Sequence, residues 1–277
     1  MSSISNSTSD ISIPRPQMWK LALRIDKEGI EFTLHSDYEE NSLIYRNLRF
    51  PKAQEGWLKN IEDIIYDNPI LLKEYDKVSV LIESENFIVV PSEVSSEDDA
   101  QQLFKFAYPS YEGDIQKSEL LRCQATILYE VEKGIIPFLE RTYENPKIQH
   151  NLRPLCEYFF KKSSLGNVSK IYAYFHGNRL DLCAFHNKKL ALTNSFRFHD
   201  INDAAYFIIN VWQSLKFDVM ADELQLSGDK KSREIIMPLL RKYITYVMPT
   251  IFPTAMFKAG KDAMLAPFDL IVLPLCE

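Results

Sequence analysis

Residues 171–198 read IYAYFHGNRLDLCAFHNKKLALTNSFRF and contain three apolar runs of strand length. A Gly177-Asn178 pair separates the first two runs, and glycine readily supplies the positive φ that a tight hairpin turn needs. From Ile201 onward, apolar residues recur at helical spacing. The stretch therefore predicts a three-stranded antiparallel meander followed by a helix, with strands at residues 171–175, 180–185 and 190–198.

The same pattern occurs once earlier in the chain. Apolar runs at residues 19–25, 30–35 and 43–50 precede an amphipathic segment that begins at Trp57. The third runs of the two copies end on similar residues, Asn47-Leu48-Arg49-Phe50 and Asn194-Ser195-Phe196-Arg197-Phe198. An internal repeat of this kind predicts a duplicated α/β architecture with a cleft between the halves.

The rest of the chain is divided by turn and proline signals. We expect a disordered tail over residues 1–16, a first half over 17–166 and a second half over 167–277. The pattern also predicts a hairpin from 78–82 and 87–90, a helix from Ser96 to Tyr108, a loop over 108–117, a strand at 124–131, a helix at 134–143, a strand at 147–151 and a helix at 154–162. In the second half it predicts a helix from 201 capped by Asp200, a strand at 223–226, a helix over 231–247 interrupted by Pro238, and a final buried strand at 268–275.

Composition excludes several classes of protein. The chain has 277 residues, of which 46% are hydrophobic and 12% aromatic, enough for a sizeable core. Its net charge of −6 argues against nucleic-acid binding, which needs clustered Lys and Arg. The four widely spaced cysteines suit a reducing compartment. The sequence shows neither a signal-peptide pattern nor an apolar run of the ~20 residues that a membrane helix needs, so we expect a cytoplasmic protein without membrane insertion.

Several stretches resemble a known family. They are Gln124-Ala125-Thr126-Ile127-Leu128-Tyr129, His150-Asn151-Leu152-Arg153-Pro154-Leu155, Leu226-Ser227-Gly228-Asp229 and the ending Leu275-Cys276-Glu277. Over residues 17–277 the chain is similar to DUF3822, a bacterial family of proteins of unknown function with an actin-like ATPase (ribonuclease-H-like) fold. The resemblance implies two mixed-sheet domains that flank a cleft.

In active members of that wider fold, the first hairpin turn of each half grips phosphate and metal. An Asp orients Mg²⁺ and an adjacent Gly lets backbone amides approach the phosphates, while a Gly-Gly pair lines the adenosine pocket. The resemblance places Asp26, Gly29, Gly177, Asn178 and Gly228 at the nucleotide positions. The chain departs from the pattern, because Glu28 adds a negative charge, His176 replaces the second Asp, and Asp229 follows a single Gly.

Each of these residues also has a simpler interpretation. Gly177-Asn178 suits an ordinary hairpin turn, and Asp26 can bond its own backbone in a turn. No short spacing brings the histidines together as a zinc site, and no nucleophile elbow or phosphate loop occurs. We therefore predict no catalytic residue, no metal site and no cofactor beyond weak ATP/Mg binding. The histidines considered are His35, His176, His186 and His199.

Three hypotheses follow. The first is a non-catalytic actin-like protein that acts as a cytoplasmic binding or scaffold module with a degenerate nucleotide site. The second is an ATP-dependent phosphotransferase or ATPase with altered metal ligation, in which His176 takes part. The third is a cytoplasmic adaptor of a larger assembly, similar to pilus-assembly proteins, with an unknown protein partner.

Overall fold

The computed structural model describes residues 8, 11–51 and 56–276. These residues form two compact units. Unit 1 comprises the described residues within 1–119, 125–153 and 253–266, and unit 2 comprises those within 120–124, 154–252 and 267–277. Most of the predicted tail, residues 1–7, 9 and 10, lies outside the described residues, and Ile13 within it is buried. The domain ranges 17–166 and 167–277 stay a prediction.

Strands and helices alternate along the described chain. The strands are β1 (Lys20–Ile25), β2 (Gly29–His35), β3 (Ile44–Arg49), β4 (Lys77–Ile82), β5 (Phe87–Pro91), β6 (Asp114–Leu120), β7 (Ala125–Val131), β8 (Lys147–His150), β9 (Lys170–His176), β10 (Arg179–His186), β11 (Lys189–Arg197), β12 (Glu223–Gly228) and β13 (Tyr246–Pro249). The helices are α1 (Trp57–Asp67), α2 (Glu97–Ala107), α3 (Ile135–Thr142), α4 (Leu152–Ser163), α5 (Ile201–Ser214), α6 (Lys230–Leu240) and α7 (Phe268–Val272).

Unit 1 is built on a five-stranded mixed sheet with the order β3-β2-β1-β4-β8. The first three strands are antiparallel neighbours, and β4 and β8 run parallel to β1. Nearly every residue of β1, β2 and β4 is buried, as expected for a sheet covered on both faces. A second, three-stranded sheet has the order β5-β7-β6.

Unit 2 is built on a sheet with the order β11-β10-β9-β12-β13, which is the same arrangement. Again three antiparallel strands are followed by two parallel ones. One face of this sheet packs on α5 and α6, which bury Ile208, Trp212 and Ile236 against it. Each of the two fully buried isoleucines stabilises the unit by about 1.5–3 kcal/mol.

The predicted start of α5 is confirmed. Asp200 is the N-cap, and its side chain accepts a hydrogen bond from the backbone N–H of Asn202. Asp203 completes a capping box, because its Oδ2 accepts from the backbone N–H of Asp200 at 3.0 Å. Both acids therefore satisfy amides that a helix start leaves without partners.

Four local predictions are wrong, and each involves short segments. Residues 78–82 and 87–90 do not form a hairpin, because β4 lies between β1 and β8 whereas β5 pairs with β7 in the three-stranded sheet. The predicted loop at 108–117 gives way to β6 at Asp114. The predicted helix at 231–247 ends at Leu240, and Val247 lies in β13. Residues 268–275 form a buried helix and a 3-10 turn rather than a strand, since a short apolar run suits either state.

The cysteines are free, and Cys156, Cys183 and Cys276 are buried as small apolar side chains. Within the described part of the chain, no helix combines the length and the apolar character needed to cross a bilayer.

Candidate functional site

The first hairpin turn, between β1 and β2, binds its own aspartate. Asp26 Oδ1 accepts hydrogen bonds from the backbone N–H groups of Glu28 at 2.7 Å and Gly29 at 2.9 Å. The backbone N–H of Asp26 donates to the Gly29 carbonyl at 3.1 Å, and Trp57 Nε1 donates to the Asp26 carbonyl at 2.8 Å. Both turn amides therefore already donate to a carboxylate oxygen of the same turn.

A buried arginine holds that carboxylate from the other side. The Arg24 side chain is fully buried, and its Nη1 lies 2.9 Å from Asp26 Oδ2 and 3.1 Å from Glu31 Oε2. Its Nη2 donates to Glu83. The fold brings these groups together because Arg24 and Glu31 are register partners in β1 and β2, and Glu83 directly follows β4. We call Arg24, Asp26, Glu31 and Glu83 the Arg24 cluster.

Polar neighbours on β3 complete the Arg24 cluster. Tyr45 Oη donates to Glu31 Oε1 at 2.5 Å, and Asn47 Nδ2 donates to the same oxygen at 3.0 Å. Burial, followed by the negative charge of Glu31, raises the pKa of the Tyr45 hydroxyl well above its usual value. Tyr45 therefore stays protonated and acts as a donor to the carboxylate.

Gly29 is required by packing rather than by an open turn. A Cβ atom at this position would lie 2.2 Å from the Leu48 carbonyl oxygen, a distance that side chains do not adopt. The close approach of β2 to β3 therefore explains this glycine by itself.

The second turn, between β9 and β10, is stabilised by different contacts from those of the first. Gly177 has φ of 57° with open space around its Cβ position, and the backbone N–H of Phe198 donates to the Asn178 carbonyl at 2.9 Å. Arg179 Nε lies 3.2 Å from Asp181 Oδ1, and Ser195 Oγ donates to the same buried carboxylate. The Asp181 carboxylate thus accepts hydrogen bonds from side chains of its own sheet, as the Glu31 carboxylate does in unit 1.

Gly228, at the end of β12, touches the neighbouring strand. Its φ is +83°, and a Cβ atom there would lie 2.0 Å from the Phe175 carbonyl oxygen on β9. That carbonyl accepts the backbone N–H of Asp229 at 2.8 Å. The contact between β12 and β9 therefore requires glycine here, whatever else the position does.

Asp229 is the N-cap of α6. Its Oδ2 accepts from the backbone N–H of Ser232 at 3.0 Å and from Ser232 Oγ at 2.5 Å. Burial opposes ionisation of Asp229, but the hydrogen bonds from Ser232, together with the Lys231 amide and the charge of Arg233, lower the pKa of the carboxyl below its ordinary value of 3.8. The charge of Asp229 thus stabilises the start of the helix.

This capping interaction predicts a pH-dependent stability. Because the folded-state pKa of Asp229 is depressed, its charge stabilises the fold above pH 3.8, and this stabilisation is lost as pH falls through the folded-state pKa. We expect Asp229→Ala to lower the free energy of unfolding by about 1 kcal/mol at neutral pH. Urea titrations should show a smaller loss of unfolding free energy for Asp229→Asn, because asparagine keeps a capping oxygen. The difference in unfolding free energy between Asp229→Asn and the native chain should shrink in acid. An unchanged difference at low pH would contradict the role of the charge.

An acidic cavity lies beside the first turn, entirely within unit 1. Its volume is about 970 Å³, and its lining includes Trp57 and Tyr111. The charged lining residues are two lysines, Lys27 and Lys133, and six carboxylates, Glu83, Glu85, Glu112, Asp114, Glu130 and Glu132. A wall with this excess of negative charge lowers the local concentration of anions and raises that of cations.

Two side chains in this cavity have fixed positions. Lys27 Nζ lies 3.7 Å from the centre of the Trp57 ring, and burial lowers the pKa of its ammonium although Glu132, Glu85 and Glu130 oppose that change. Glu130 Oε1 accepts from the backbone N–H groups of Glu112 and Gly113 at 2.9 and 2.7 Å. The Lys27 ammonium thus lies among carboxylates and does not form an open binding site for an anion.

Comparisons with known proteins place the chain in a family. The model of a family described as "Protein of unknown function (DUF3822)" matches residues 8–247. The chain belongs to the DUF3822 family. A search of curated proteins gave no match to this DUF3822 protein.

Solved structures establish the fold of this DUF3822 protein. A crystal structure of a Bacteroides thetaiotaomicron protein, with an actin-like ATPase fold and unknown function, has a TM-score of 0.79 and 26% identity, and the match covers 95% of this chain and 98% of that one. The PilM-PilN type IV pilus biogenesis complex gives a TM-score of 0.51 and 12% identity, covering 95% and 98% of the two chains. The DUF3822 protein therefore has the predicted α/β, actin-like ATPase fold.

The structure distributes the predicted site residues as follows. Asp26 and Gly29 lie together in the first turn of unit 1. Gly177 and Asn178 lie in the first turn of unit 2, and Gly228 lies beside the strand that leads into that turn. A nucleotide role for these five residues of the DUF3822 protein stays a prediction. The Arg24 cluster was not predicted, although one signal was available, since Arg24 and Glu31 interrupt strongly apolar runs.

Proposed function

We propose that this chain is a non-catalytic protein of the actin-like fold that acts as a binding or scaffold module with a degenerate nucleotide site. One observation carries the proposal. The Asp26 carboxylate is bonded to the two amides of its own turn and to the buried Arg24 guanidinium. It can release those amides to a phosphate only if these bonds break.

Electrostatics support the same conclusion. Like charges about 4 Å apart repel by roughly 4 kcal/mol at an effective dielectric constant of 20. Beside the first turn lie Glu28, which pairs with Arg49 at the surface, and the six carboxylates of the acidic cavity. A triphosphate near this turn would face these charges with Lys27 held over the Trp57 ring.

The matching strand orders of the two units support a duplicated origin. In this proposal both units kept their sheets while the first turns acquired other roles. Asp26 stabilises the turn and Gly228 allows strand contact, and both roles favour these residues without any ligand. The free thiols and the net charge of −6 fit the expected cytoplasmic location and the absence of nucleic-acid binding.

Calorimetric titration with Mg·ATP tests the proposal. We expect no binding heat at micromolar protein and nucleotide, and no release of phosphate over hours. Mg·ADP and Mg·GTP serve as controls for a different nucleotide preference. Micromolar affinity together with turnover that Asp26→Ala abolishes would refute the proposal.

That refuting result would support the second hypothesis, an ATP-dependent phosphotransferase or ATPase with altered metal ligation. This hypothesis requires the amides of the first turn to face a ligand, whereas those of Glu28 and Gly29 face Asp26. Weak ATP/Mg binding without turnover would leave the chain non-catalytic.

An adaptor role is the more specific form of a binding module. The solved PilM-PilN complex shows that a protein of this fold binds another protein, and the likeness to it concerns the fold alone. The acidic cavity favours such a role, because its carboxylates, together with the Tyr111 ring, suit the basic side chains of a protein partner. Size-exclusion analysis of the chain purified at native abundance should show a heteromeric complex, and an isolated monomer would count against the adaptor.

A further inference from the structure

A second concave surface lies on unit 2 and has the opposite charge. It is a groove of about 480 Å³ between one face of α6 and the end of β13. Its lining residues recur along α6 at helical spacing and meet a proline of β13: Lys230, Arg233, Glu234, Met237, Pro238, Arg241 and Pro249. We call this surface the α6 groove.

The floor of the α6 groove is apolar and stiff. Met237, Pro238 and Pro249 supply it, and the two prolines have fixed φ angles. Because Pro238 has no backbone N–H, it cannot donate the usual helical hydrogen bond to the carbonyl of Glu234, four residues earlier in α6. The floor of the α6 groove thus offers apolar contact area on a rigid backbone.

The rim of the α6 groove is basic. It carries one carboxylate, Glu234, and three cations, Lys230, Arg233 and Arg241. Glu234 Oε1 lies 3.7 Å from Lys230 Nζ. The chain as a whole carries a net charge of −6, so the charge of this face is opposite in sign to that of the whole chain. A basic rim around an apolar floor matches an acidic segment that also presents an apolar side chain.

The two guanidinium groups are already oriented by backbone carbonyls. Arg233 Nε donates to the Gly228 carbonyl at 3.0 Å, and Arg241 Nη2 donates to the Val247 carbonyl at 3.0 Å. Arg233 also interacts electrostatically with the neighbouring Asp229 carboxylate, whereas Arg241 has no carboxylate partner among the described residues. Their remaining N–H groups are therefore held in place for a carboxylate, and less side-chain entropy is lost on binding.

We propose that the α6 groove is a docking site for an acidic segment of a partner protein, in which Asp or Glu residues flank an apolar side chain. The carboxylates bind Arg233, Arg241 and Lys230, and the apolar side chain packs on Met237 and the prolines. Arg241 also donates to the Val247 carbonyl on β13, the last strand of the sheet, so this acceptor already has a donor.

A pair of synthetic peptides tests this proposal on the full chain. The first is a short fluorescein-labelled peptide in which Asp and Glu flank two leucines, and the second replaces every acid with Asn or Gln. We expect fluorescence anisotropy to show the acidic peptide binding about tenfold more tightly than its neutral counterpart, with the difference shrinking as salt is added. Equal binding of both peptides, or no binding of either, would overturn the proposal.

Variants of α6 locate the site. Lys230→Glu combined with Arg233→Gln should weaken binding of the acidic peptide by about tenfold or more, whereas Lys231→Glu, an exposed neighbour outside the groove, should leave it nearly unchanged. If the double variant does not fold, backbone NMR of the native chain gives the same answer, because the peptide should shift the amide signals of α6 and β13. Equal weakening by Lys231→Glu, peptide-induced shifts elsewhere, or displacement of the peptide by Mg·ATP would each contradict an acidic protein segment as the occupant.

Discussion

Replacing Arg24 with Ala should lower the free energy of unfolding by about 3–5 kcal/mol, because removing one partner leaves buried carboxylates without their counter-charge. The Arg24 guanidinium contacts Asp26, Glu31 and Glu83, and its side chain has no exposed surface. Equilibrium urea unfolding, followed by circular dichroism, measures the loss.

Arg49→Ala is the matched control for this prediction. Arg49 also pairs with a glutamate of the first turn, Glu28, at 2.7 Å, but both side chains are more than half exposed. An exposed pair of this kind contributes about 0–1 kcal/mol. Equal effects of Arg24→Ala and Arg49→Ala would show that the Arg24 cluster does not stabilise the first turn.

Replacing Gly228 with Ala should cost about 3 kcal/mol or more, since both a steric clash and an unfavourable backbone conformation are introduced. The added Cβ would lie 2.0 Å from the Phe175 carbonyl oxygen and 2.7 Å from Tyr174 Cδ2, at a φ of +83°. Relief of the clash requires β12 and β9 to separate where they pair. Thermal and urea unfolding of the purified variant would measure the loss.

Gly177→Ala isolates the backbone contribution. Gly177 also has a positive φ, 57°, but nothing lies within 4 Å of its Cβ position. Its cost should be about 1–2 kcal/mol, the usual cost of a left-handed conformation for alanine. If Gly177→Ala proves as costly as Gly228→Ala, close packing of β12 on β9 does not explain Gly228.

The sequence predicted those parts of the fold that depend on neighbouring residues. The two meanders were recognised because each strand pairs with the next along the chain and a turn signal such as Gly177-Asn178 separates them. The α5 start was predicted because Asp200, its N-cap, acts on an amide within the first helical turn. Such signals operate over a few residues and survive any tertiary context.

The errors arose where distant partners decide the structure. β4 and β5 are close in the chain, but β4 pairs with β1 and β8 and β5 pairs with β7, and no local pattern encodes that choice. Residues 268–272 are buried throughout, so their apolar run lacks the period that separates a helix from a strand.

The candidate site was predictable in position but not in chemistry. The resemblance indicated the first turn and Asp26, whereas the partners of Asp26 depend on Arg24 and on the amides of Glu28 and Gly29. The Arg24 cluster joins residues from β1, β2 and the end of β4, and their register becomes known only from the folded sheet. A charged residue inside an apolar run is the signal that would have drawn attention to it.

The most direct test of the account is an NMR titration of the native chain with Mg·ATP that follows the backbone amides of Glu28 and Gly29. In the structure both amides donate to Asp26 Oδ1. In the native chain, we predict that the signals of both amides stay unchanged up to millimolar nucleotide. In the Asp26→Ala variant, where the two amides no longer donate to a carboxylate, we predict that nucleotide shifts their signals. Saturable shifts of both amides in the native chain would show that the first turn still binds phosphate, and would contradict the degenerate site.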